Sequence, residues 1–147
     1  MPKLHLEDFH VGLRLASPSR EITAEAIKAF AADFDPQPFH LDEESARDTF
    51  FGGLAASGWH TAAVTMRLLA DGGLPIAGGL IGAGGEISWP RPTRPGDVLT
   101  VESIVEAVAP SRSRPDRGMV TVRSETKNQK GETVQVLVSR VLAFRRP

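Results

Sequence analysis

The 147-residue sequence contains no cysteine. That excludes disulfides, thiolate nucleophiles and thiolate metal sites. Its four histidines, His5, His10, His40 and His60, are dispersed, with no short-spaced pair of the zinc-binding kind. No metal and no other cofactor is expected. Long apolar runs are also missing. The uncharged stretch over residues 50–66 is broken by Gly52, Gly53, Ser57, Gly58 and His60. It is too polar and just too short for a membrane span. The first residues have no apolar signal core, so no secretory leader is expected and a cytoplasmic location is the default. Neither charge sign is in excess: 17 Lys+Arg against 18 Asp+Glu leave −1. Such a chain has no strong field to gather nucleic acid or a membrane surface. What is present, 41% hydrophobic and 24% charged residues, is ordinary globular composition. The length suits a single domain over residues 1–147.

Helical spacing comes first along the chain. Thr23 is a candidate N-cap, Glu25 suits the first turn, and Ile27, Phe30, Ala31 and Phe34 form one apolar face. Pro36 and Pro38 end this helix by Asp35. Asp42 caps a short helix running to Arg47. Residues 58–71 then read as a helix apolar almost all round, with Arg67 the one charge before Asp71. Such a helix is normally buried on all sides.

After residue 80 the period becomes two. Val120, Val122, Ser124 and Thr126 share a face. So do Leu99, Val101, Val105 and Ala107, with Ile104 breaking the pattern. Val134, Val136, Val138, Leu142 and Phe144 form a third set. Asn128–Gly131 reads as a hairpin turn, and Pro95-Gly96-Asp97 opens a strand. Lys3–Leu13 is a further candidate strand. Helices followed by strands indicate α+β, here a curved antiparallel sheet wrapped around the long central helix. One sheet covers one side of that helix, so a second copy of the chain is expected to cover the rest.

Chemistry concentrates in Asp33-Phe34-Asp35-Pro36-Gln37-Pro38-Phe39-His40-Leu41-Asp42. Two prolines stiffen the link between Asp35 and His40. A carboxylate and an imidazole beside one water can move its proton; an Asp-Pro turn and a solvent-exposed histidine would explain the same residues without chemistry. The segment Ala55-Ala56-Ser57-Gly58-Trp59-His60-Thr61 opens the long helix. Small residues there let a substrate reach free N–H groups that could hold a carbonyl oxygen, or they simply permit tight packing. His60 reads as a core histidine or a pocket wall, and His5 and His10 as surface residues. The basic stretch 110–117 reads as a solvated hairpin tip.

The stretch Asp35-Pro36-Gln37-Pro38-Phe39-His40-Leu41-Asp42 resembles the signature of the MaoC-like dehydratases, or (R)-specific enoyl-CoA hydratases. Ser57–Thr61 and Trp89-Pro90-Arg91-Pro92-Thr93-Arg94-Pro95-Gly96-Asp97 resemble two later segments of that family, in the same order. The resemblance implies a hotdog fold, paired as a homodimer or a dimer of dimers. It implies reversible addition of water to a trans-2-enoyl thioester of CoA or acyl carrier protein. On it, Asp35 and His40 are the catalytic pair. Gly58, Ser57, Trp59 and His60 are the oxyanion and substrate-binding residues. Gln37 stands where these hydratases often have Asn, and Met66 where some have serine. A hotdog acyl-CoA thioesterase and a non-catalytic acyl-thioester-binding protein are the alternative functions. Against the former, residues 58–70 contain no carboxylate.

Overall fold

The computed structural model describes residues 2–147. Strand β1 (Arg14–Glu21) precedes helices α1 (Ala24–Phe34), α2 (Pro38–Leu41), α3 (Glu43–Ala46) and α4 (Gly58–Leu68). Strands β2 (Gly82–Ser88), β3 (Val98–Pro110), β4 (Arg117–Lys127) and β5 (Thr133–Phe144) complete the chain. The strands form one antiparallel sheet in the order β1-β3-β4-β5-β2. The expected α+β architecture, a sheet wrapped on α4, is what forms.

Local chemistry explains the boundaries. The Thr23 hydroxyl accepts from Ala26 N–H at 3.1 Å and starts α1. Asp42 accepts from Ser45 N–H and starts α3; these bonds hold its carboxyl below the ordinary range. Gly131, at φ +75, closes the β4–β5 turn, where a side chain would be strained. All four predicted inward residues of β4 are buried: Val120, Val122, Ser124 and Thr126. Together with Leu99, Val101, Val105 and Leu68 they form the core under α4.

Several expectations are corrected. Lys3–Leu13 is no strand: Leu6–Asp8 is a single tight turn, and only Leu4 bridges, to Ile76. α4 stops at Leu68, and a wider turn runs on to Gly73. Phe34 stands 73% exposed at the end of α1, whose buried residues are Ile27 and Ala31. A bulge after Val105 turns Ala107 out of the inner face of β3. On β5 the sequence identifies Val134, which is fully buried in the core, but beyond it favours the wrong face. Thr126 opposes Gln135 and Val120 opposes Val141, so Gln135, Leu137, Ser139, Val141 and Ala143 face α4. Valines occupy both sides of that strand, which hides the parity from hydropathy alone. As expected for a helix lying on one sheet, α4 is not covered all round by its own chain: Trp59 and Met66 remain 60% and 48% exposed.

Candidate active site

Helix α2 begins with Pro38, whose fixed φ suits a first helical position. Its single turn carries His40 inward to a buried position. The loop before α4 runs beside it, with Ala55 N–H donating to Phe39 O at 3.0 Å. The Ala55 carbonyl meets His40 Nδ1 at 2.6 Å. A carbonyl only accepts, so Nδ1 carries the hydrogen and Nε2 is left facing Asp35. Asp35, the C-terminal cap residue of α1, places Oδ2 3.5 Å from that Nε2. This is too long for a direct hydrogen bond of ordinary strength. No protein donor bonds the Asp35 carboxylate among the described residues. The residues of a turn motif would have satisfied this carboxylate locally, as Asp42 is; Asp35 is left facing a cleft.

That cleft has a volume of about 520 Å³, and Asp35, His40, Phe51, Gly58, Trp59 and Trp89 are among its walls. Gly58 contributes its amide. Ser57 Oγ accepts from Trp59 N–H, and Ser57 O accepts from His60 N–H, but no acceptor within the described chain takes the Gly58 hydrogen. It is an orphan donor of the first helical turn. Gly58 also allows close packing: a Cβ there would lie 2.6 Å from the Trp89 ring.

The sequence reasoning thus brought Asp35, His40, Gly58 and Trp59 to one place. Ser57 does not line the cleft; it is 1% exposed and acts as the α4 cap. His60 does not line it either. Its ring stacks on Phe30 at 4.7 Å and 5°, buried, with Nδ1 unpartnered. It is therefore a core histidine, but not a satisfied one. His5 is half-buried, also with an unpartnered Nδ1, rather than a surface residue. Missed from sequence were Thr61, Thr93, Phe51 and Trp89 as walls. Trp89 falls inside the quoted third motif, and its ring was the available signal. Among the described residues no group of three or more His, Cys, Asp or Glu could hold a metal, and no helix is long and apolar enough to cross a membrane.

Burial, and then the charge of Arg20, hold the His60 imidazole below its ordinary value of 6.5. The sign for stability follows from linkage. Above about pH 6.5 His60 is neutral in both states; below it, the unfolded chain takes up the proton first and folding loses free energy until the folded-state pKa is passed. The thermal midpoint should fall on acidification through this window. It should fall less in a His60→Leu variant, as differential scanning calorimetry can measure.

The comparisons agree with this geometry. The family described as FAS1-like, dehydratase domain region, matches residues 9–136. A MaoC-like dehydratase from Rhodospirillum rubrum is 64% identical, with a TM-score of 0.97, covering 98% of this chain and 99% of that one. The unliganded R-hydratase PhaJ1 from Pseudomonas aeruginosa is 27% identical at a TM-score of 0.77, covering 98% and 88%. The uncharacterized protein YdeM of Bacillus subtilis (strain 168) is 35% identical over 130 residues, 86% of this chain and 89% of its own. With its single hotdog domain and a family match over most of its length, the chain belongs to the FAS1-like dehydratase-region family, among the MaoC-like hotdog dehydratases.

Proposed function

We propose that this protein adds water to, or removes it from, a trans-2-enoyl thioester, with Asp35 and His40 as the acid–base pair. The observation that carries the reading is a carboxylate without a protein hydrogen bond, 3.5 Å from the free nitrogen of a buried imidazole, in the wall of a cleft. A water held between Asp35 Oδ2 and His40 Nε2 gives up a proton to the pair. Its oxygen bonds the β carbon, and the double-bond electrons move toward the thioester carbonyl. The Gly58 N–H donates to the thioester oxygen and stabilises the negative charge that develops there. The α carbon then takes back a proton from the pair, and the product is a 3-hydroxyacyl thioester. The reverse path expels water.

The carrier is CoA or acyl carrier protein. A second copy of the chain covers the exposed face of α4, where Trp59 and Met66 stand out; β2 also has an unpaired edge. An exposed apolar helix face and an open strand edge both favour pairing. Light scattering should accordingly give the mass of two chains, or of four. The reaction is tested with crotonyl-CoA and no added cofactor. Loss of the enoyl absorbance without thiol release supports hydration. Thiol release would replace the reading with a thioesterase, and binding without turnover would replace it with a carrier or scaffold role. No carboxylate on α4 supports the thioesterase alternative.

A further inference from the structure

A glutamine lies where the core would be expected to be apolar. Gln135 is fully buried on the α4-facing side of β5. Its Nε2 donates to Thr65 Oγ1 at 3.1 Å, and its Oε1 accepts the Trp89 indole N–H at 3.0 Å. Every position of the Thr65 hydroxyl is used. It donates to Thr61 O and accepts from Gln135 and from Thr126. Gln135 therefore ties β5, α4 and the segment after β2 together through one satisfied network. A leucine or methionine would fill the same space without needing any partner. What the glutamine adds is a fixed anchor for an indole that is 39% exposed and forms part of the cleft wall.

The anchored ring sits against Gly58. Three of its atoms would lie 2.6–2.9 Å from a Cβ at that residue. The ring also meets Trp59 edge-on, with centroids 5.3 Å apart at 81°.

We infer that Trp89, held in place by Gln135, selects the acyl group at its α carbon, so that the site takes enoyl thioesters unbranched there. This rests on the proposed hydration with the carbonyl at the Gly58 amide. An oxygen bonded to that amide places the thioester carbon, and the α carbon attached to it, beside the indole. A methyl group on the α carbon then meets a ring that yields only by breaking a buried hydrogen bond. A misplaced methyl in a fitted pocket costs roughly 10–200-fold in kcat/KM. Gln135 acts through Trp89 without touching substrate and is a positioning residue.

The test compares kcat/KM for crotonyl-CoA and 2-methylcrotonyl-CoA. The parent should prefer the unbranched thioester by about 50-fold. Trp89→Leu should reduce that preference by about tenfold, and Gln135→Met by about threefold; the ratio cancels any general loss of activity. Gln135→Met should also weaken the exciton couplet of the Trp59–Trp89 pair in circular dichroism. In a Trp89→Phe background, which lacks the N–H, Gln135→Met should change the preference no further. If Trp89→Leu does not fold, the Trp89→Phe and Gln135→Met cycle carries the measurement alone. An unchanged preference in these variants, or a parent that accepts both thioesters equally, overturns the inference and leaves the reaction standing. A parent that hydrates neither overturns the reaction, and the inference falls with it.

Discussion

Asp35→Asn should lower kcat/KM for enoyl thioester hydration by about 10³-fold while the thermal midpoint hardly moves, since general acid–base groups contribute roughly 10²–10⁴-fold. The asymmetry between activity and stability comes from the structure. Among the described residues the Asp35 carboxylate has only the 3.5 Å approach to His40, so little native bonding is lost with its charge. Asparagine keeps the shape but cannot take a proton. His40→Ala should lose activity to a similar extent, and for a different reason it should also lose stability. It deletes a buried ring packed on Phe39 and Phe51 and leaves the Ala55 carbonyl without its partner. An unpaired buried acceptor alone costs about 1–3 kcal/mol. The double variant should be little slower than either single one, because two groups serving one proton transfer fail as a unit. Stopped-flow turnover with calorimetry on the same samples checks all three. If both single variants keep more than about half the parent rate, the pair has no role in proton transfer.

Much of this site could be read from sequence because it is local. Pro36 and Pro38 fix the chain between Asp35 and His40, so a spacing of five residues is nearly a statement about geometry. The same holds for the Thr23 and Asp42 caps and for the Gly131 turn, each of which answers to its immediate neighbours. What stayed hidden depends on pairing. The inward face of β5 is set by its register with β4, and the strand carries apolar residues on both sides. Gln135 sits among valines, and only the register that sets it opposite Thr126 puts it on the inner face. His60 lies only three residues beyond Ser57, yet the helix turns its ring to Phe30 and away from the cleft. Phe34 fits the helical spacing of an apolar face, but it sits at the end of α1 and touches the stack only through Phe30, leaving it exposed.

The central helix shows how far patterning can mislead about environment. Its sequence is apolar on nearly every side, but the side against β4 and β5 is joined by hydroxyls. Thr61 donates to Thr93, and Thr65 bonds with Thr126 and Gln135. The exposed apolar residues are on another face, Trp59 and Met66 among them. The helix therefore packs on its own sheet partly through satisfied polar contacts, which demand one register. The side that carries Trp59 and Met66 is left open by its own chain.

Gly58→Ala carries the second large effect, and it separates the two uses of this residue. Alanine retains the N–H, so loss of the donor itself cannot explain a defect. The added Cβ, however, would fall 2.6 Å from Trp89 Cε2, and the indole cannot retreat while Gln135 holds its N–H at 3.0 Å. With the ring held, the first turn of α4 must shift, and that displaces the amide proposed to hold the thioester carbonyl. Overpacking of this kind costs about 1–3 kcal/mol of stability. Misplacing an oxyanion donor costs about 3–4 kcal/mol of barrier, or roughly 10²–10³-fold in kcat. The expected result is a folded variant, modestly less stable, with kcat down by about 10²-fold. Adding Trp89→Leu should relieve the clash and restore most of the lost stability. If it also restores kcat, the damage in the single variant lay in the displaced amide. A Gly58→Ala protein that folds and turns over within about twofold of the parent would remove this amide from the reaction and leave Gly58 as a packing glycine alone.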